Sequence, residues 1–105
     1  MPLGKSSKPD KLRTVYLKTS PSTTIAWDRP IYSGGMEIFI QKYIIKIPDI
    51  DYSEEESGTV YTHNIVSADL MFNKLYDVEV SAINTCSIES DPANISVNIE
   101  ANSKF

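Results

Sequence analysis

The chain has 105 residues, 41% of them hydrophobic, which is the size of one domain with one core. A formal net charge of -4 at pH 7 and a sequence isoelectric point of about 4.8 argue against a strong electrostatic attraction to nucleic acid or an anionic membrane, which needs a basic stripe. The single cysteine, Cys86, excludes an intrachain disulfide, and no apolar run approaches the length of a membrane span.

Met1 to Lys8 mixes Pro, Gly, Ser and Lys without periodicity and reads as a flexible leader, with no signal-peptide pattern in it, so ordering is expected from Pro9. The chain itself reads as a piece of a longer protein, with a domain over residues 9–100 and a frayed tail over 101–105. Lys11 to Thr19 is a ragged first strand whose lysines suit a solvated edge. Its Val15 and Leu17 offer an edge for weak self-association. Ser20-Pro21-Ser22 turns the chain, and Thr23, Ile25 and Trp27 then share one face of a second strand, with Trp27 as the largest core residue.

Asp28-Arg29-Pro30 breaks that strand, and Ser33-Gly34-Gly35 supplies a tight reversal. Gly34-Gly35 is not a phosphate cradle, because no Gly-rich fingerprint and no Lys-Ser/Thr pair follows it. The connection is greasy, carrying Ile31, Tyr32, Met36, Ile38, Phe39 and Ile40. Two dispositions fit: Ile38 to Ile40 already belong to the next strand and are buried, or some of these side chains are exposed and face a partner.

Tyr43, Ile45 and Ile47 form the inner face of a third strand and Ile44 and Lys46 its outer face, until Pro48 ends it. Asp49, Asp51, Glu54, Glu55 and Glu56 read as a solvated hairpin tip, since their spacing lacks the glycine and distant bidentate glutamate of a calcium loop. Gly58 reopens a strand in which Tyr61, His63 and Ile65 oppose Thr62, Asn64 and Val66, with either parity able to face inward. His63 has no cysteine or carboxylate at a metal-ligand spacing and is expected to be exposed or hydrogen-bonded structurally.

The strongest signal follows in Leu70 to Asn84, where Tyr76, Val78, Val80 and Ala82 alternate with Asp77, Glu79 and Ser81 as in a half-buried central strand. Asn84 to Pro92 is a polar loop, and Ile95, Val97 and Ile99 alternate with Ser96, Asn98 and Glu100 in a last strand. Seven short strands with no helical periodicity point to an all-β, two-sheet, immunoglobulin-like sandwich.

Trp27 followed by Pro30, Tyr43 followed by Ile45, and Leu70 placed six residues before Tyr76 give the chain its likeness to a known family. Over nearly all of Pro9 to Glu100 it resembles a fibronectin type III domain, with Leu70 and Tyr76 in the place of that family's tyrosine corner. Three departures stand out. Val66 lies four residues before Leu70 instead of three, Ser87 occupies a position where glycine is usual, and the segment from Gly35 to Tyr43 is about two residues longer than the common pattern.

The resemblance implies a non-catalytic interaction or spacer module of a larger cell-surface or secreted protein of the adhesion or receptor kind, without cofactor or metal. A protein partner is expected on Ile31, Tyr32, Met36, Phe39 and the outward Ile44; nucleic acid and direct membrane insertion are not. One alternative is an intracellular cytoskeletal or muscle-type scaffold repeat, suited to the free thiol of Cys86; another is an accessory spacer of a polysaccharide-degrading enzyme. Catalysis by Cys86 would need His63 beside it, and the topology separates them. Asn94-Ile95-Ser96 is an N-glycosylation triplet, and Asn84-Thr85-Cys86 is a poorer one.

Overall fold

A computed structural model describes residues 4–15, 23–66 and 74–99. Its strands are β1 (Asp10–Val15), β2 (Thr23–Asp28), β3 (Ile40–Ile47), β4 (Tyr52–Ser57), β5 (Thr62–Ile65), β6 (Lys74–Asn84) and β7 (Ala93–Ile99). They form two antiparallel sheets, ordered β1-β2-β5 and β4-β3-β6-β7. This is the seven-stranded immunoglobulin-like sandwich, with fibronectin type III topology, that the sequence implies. Leu17 and Leu70 lie outside the described residues, as does the 101–105 tail.

The alternating residues build the core because each strand turns every second side chain inward. Ile25 and Trp27 of β2, Tyr43, Ile45 and Ile47 of β3, and Tyr76, Val78, Val80 and Ala82 of β6 are all sealed between the sheets. His63 and Ile65 settle the parity of β5, since both are buried while Thr62 and Asn64 are exposed. Trp27 meets Tyr43 edge-on with ring centroids 5.2 Å apart, and Tyr43 meets Tyr61 likewise at 6.1 Å. Fully burying one such apolar side chain contributes roughly 1.5–3 kcal/mol, which is how the domain holds together without a disulfide.

The acidic stretch is a solvated hairpin tip only in its first part: a 3-10 turn over Pro48–Ile50 and a left-handed Asp51 (φ 54°) reverse the chain with Asp49 and Asp51 exposed, while Glu54, Glu55 and Glu56 run on along β4. Backbone pairing with β3, from Lys42↔Ser57 to Ile47↔Tyr52, holds this polar edge strand without an apolar face of its own. From Gly4 onward the leader is hydrogen-bonded to the connection that precedes β3. Gly4 N donates to Gly34 O at 3.2 Å, Ser7 N to Tyr32 O at 2.8 Å, and Ser6 and Pro9 are buried. A main-chain ladder needs no hydrophobic pattern, so polar residues can form it.

Candidate interaction surface

The connection from β2 to β3, residues 29–39, is fastened on both margins. On one side lie the leader bonds, joined by Tyr32 N to Ser7 Oγ at 3.1 Å. On the other, Thr85 N donates to Phe39 O at 2.9 Å and Phe39 N to Thr85 Oγ1 at 3.3 Å, tying the loop to the chain after β6. Ile38 is buried as an internal anchor.

Between these ties the large apolar side chains point out. Ile31 is 86% exposed, Tyr32 47%, Met36 89% and Phe39 67%. Of the two dispositions open for the greasy stretch, each holds for part of it: Ile38 is buried and Ile40 opens β3 packed against the core, while Ile31, Tyr32, Met36 and Phe39 are exposed. Ile88, 36% exposed in the β6–β7 loop at the same end, is an addition that the sequence did not single out. Its position depends on a loop path set by Asn84, to whose Oδ1 Ile88 N donates at 3.2 Å.

Ile44 does not join this group. It is half-buried on the outer face of the four-stranded sheet, opposite Ser81 and Glu55 and about 13 Å along β3 from Ile40. Beside the root of the loop opens a shallow cleft of about 570 Å³ floored by Ala26, Trp27 and Tyr61 and flanked by Arg13 and Arg29. Arg13 is partly neutralised there by Asp28 at 3.3 Å.

Behind that cleft, the Trp27 Nε1 and the Tyr43 hydroxyl are both sealed from solvent and make no hydrogen bond of acceptable geometry among the described residues. Burial, with Tyr61 adding to it, pushes the Tyr43 phenol up to about 12; the Trp27 indole N–H and Arg29 oppose the rise.

Asn84 organises this end of the molecule. It is completely buried, and its Nδ2 donates to Gly4 O at 3.0 Å and Ser33 O at 3.1 Å while its Oδ1 accepts from Cys86 N and Ile88 N. Asn84 is therefore corrected as a glycosylation candidate: both amide hydrogens are used and no space is left for a sugar. Gly34 completes the junction at φ +119°, where an added Cβ would stand 2.5 Å from Gly4 O. Asn94, by contrast, is exposed on β7.

His63 gains a carboxylate that linear spacing did not reveal. Its Nδ1 lies 2.6 Å from Glu56 Oε2 and its Nε2 lies 2.7 Å from the Tyr52 hydroxyl. With neutral imidazole, these partners place the proton on Nδ1, donated to Glu56, and Nε2 accepts from Tyr52. The group has the connectivity of a catalytic relay, but burial and the nearby Glu54 raise the Tyr52 phenol, the wrong direction for a nucleophile. Cys86 is exposed in the loop beyond β6, whereas both ring nitrogens of His63 are engaged at the β4–β5 mouth.

Among known proteins, no family model matches and no curated protein matches. A solved structure described as "Myokine structure" aligns with a TM-score of 0.61 at 18% identity, over 91% of this chain and 99% of that one. The likeness is one of fold. It covers most of both chains.

Proposed function

We propose that this chain is a fibronectin type III-like module with a non-catalytic role, an interaction or spacer domain of a larger cell-surface or secreted protein. It contacts a protein partner through Ile31, Tyr32, Met36 and Phe39. The observation that carries this reading is the exposure of four large apolar side chains within nine residues, on a loop whose backbone is fastened at both margins. A surface ordered before contact loses little entropy on binding, and aromatic side chains supply most contact energy in protein interfaces. The fold likeness and the Trp27, Tyr43 and Tyr76 pattern support the family assignment.

The experiment is capture of partners by the immobilised full chain from secreted and cell-surface proteins of its source. A partner held by the native chain and by Ile44→Ser, but lost with the Tyr32→Ser/Phe39→Ser pair, supports the reading. Equal retention by all three overturns it. One observation favours a scaffold repeat inside the cell, namely the exposed free thiol of Cys86. That reading predicts capture of cytoskeletal proteins.

A further inference from the structure

We propose that Asn94 is an N-linked glycosylation site and that its glycan shields the edge of β7. The triplet Asn94-Ile95-Ser96 lies on β7 with Ile95 packed against the core, so Asn94 and Ser96 share the outward face. Asn94 is exposed and its amide makes no hydrogen bond among the described residues; Ser96 is exposed too, with its hydroxyl 3.1 Å from Asp77 Oδ1. The fold thereby separates two similar triplets. A sugar on Asn84 would displace the amide from Gly4 O and Ser33 O and prevent the junction from closing, whereas the Asn94 side chain is exposed and holds no such junction.

The shielding role follows from comparing the four strands that have a single hydrogen-bonded neighbour among the described residues, β1, β5, β4 and β7; β1 passes close to β7 without pairing with it there. Edge strands invite pairing with other chains unless something blunts them. β1 carries Lys11 and Arg13 and a register break between Asp10 and Arg13. β5 has only four residues, and β4 turns Glu54 and Glu56 to its inner side. β7 has none of these devices. Its seven residues, Ala-Asn-Ile-Ser-Val-Asn-Ile, hold no charge and no proline, and they pair with β6 in unbroken register from Val80↔Ala93 to Lys74↔Ile99. A glycan on the second residue of this strand supplies the missing bulk.

In the transfer, Asn94 Nδ2 forms a bond to C1 of an oligosaccharide carried on a lipid diphosphate. The C1–O bond breaks, the lipid diphosphate leaves, and the amide nitrogen gives up one proton. The proposal rests on the extracellular part of the functional reading and is independent of the loop surface.

The test uses the full chain secreted from eukaryotic cells and the protein isolated from its source, each weighed before and after peptide-N-glycosidase. The expected result is the loss of one glycan from both, abolished by Asn94→Gln and equally by Ser96→Ala. Unglycosylated chain should sediment as a dimer or larger at concentrations where the glycosylated form is a monomer, and Asn98→Lys should restore the monomer. No glycan on the secreted chain, or one that survives Asn94→Gln, overturns the site. A glycan on the secreted chain with none on the source protein overturns native modification and the extracellular reading together. An unglycosylated chain that stays monomeric overturns the shielding role.

Discussion

The Glu56 carboxylate and the His63 imidazole, 2.6 Å apart, tie β4 at the edge of one sheet to β5 at the edge of the other. Tyr52 closes the same mouth from β4. Replacing His63 alone by alanine leaves Glu56 half-sheltered without its partner and Tyr52 without an acceptor. This variant should lose about 1–3 kcal/mol of stability. In a double-mutant cycle with Glu56→Gln, a coupling of about 1–2 kcal/mol is expected from urea unfolding; additive losses would show that the pair does not bind the sheets together.

Asn84 joins three segments through one buried amide, reaching 80 residues back to Gly4 and 51 back to Ser33. Asn84→Ala leaves two carbonyls and two N–H groups without their partner in a part-buried junction. The expected loss is about 2–4 kcal/mol in denaturant unfolding, with faster hydrogen exchange at Tyr32 and Thr85. A loss below about 0.5 kcal/mol would contradict the role given to this residue.

Ser87 adopts φ +64°, in the left-handed region, where its Cβ is crowded and glycine is at ease. Ser87→Gly should therefore raise stability by about 0.5–1 kcal/mol, the strain relieved being partly offset by a freer unfolded chain. Denaturant midpoints of the two proteins check this. A destabilised glycine variant would mean that the serine is not strained.

Tyr43 supplies a pH dependence. Its folded value of about 12 exceeds the ordinary value of 10.0, so between these the folded chain keeps a proton that the unfolded chain has lost. Stability contributed by the neutral phenol is complete below pH 10 and declines as pH rises through 12. The loss is on the order of 2 kcal/mol. Tyr52 is shifted the same way, so Tyr43→Phe should shallow the alkaline decline without abolishing it. Near pH 7 that variant should be as stable as the parent or slightly more so, because it removes a buried hydroxyl that has no hydrogen bond among the described residues. Urea unfolding at neutral and alkaline pH measures both effects.

The sandwich was legible in the sequence wherever burial imposes a two-residue period, as in Tyr43–Ile47 and Tyr76–Ala82. β4 was not, because an edge strand reading Tyr-Ser-Glu-Glu-Glu-Ser is held by its neighbour's backbone and carries no hydrophobic alternation. The docking of Gly4 to Ser7 left no trace for the same reason. His63 and Glu56 meet across two sheets, and Asn84 is filled by groups from distant segments, so neither relationship is visible in linear spacing. At the surface, composition marked Ile31 to Ile40 as unusual, but only the fastening of Phe39 to Thr85 shows which side chains go in and which stay out.

Tyr32 and Phe39 are proposed to serve contact and not the core. The decisive measurement is paired, taking the urea midpoint of Tyr32→Ser/Phe39→Ser together with its affinity for the captured partner. An unchanged midpoint and a dissociation constant raised at least about 30-fold are expected from the loss of two aromatic anchors. A midpoint that falls as for a core deletion, or binding that survives intact, would contradict the proposal.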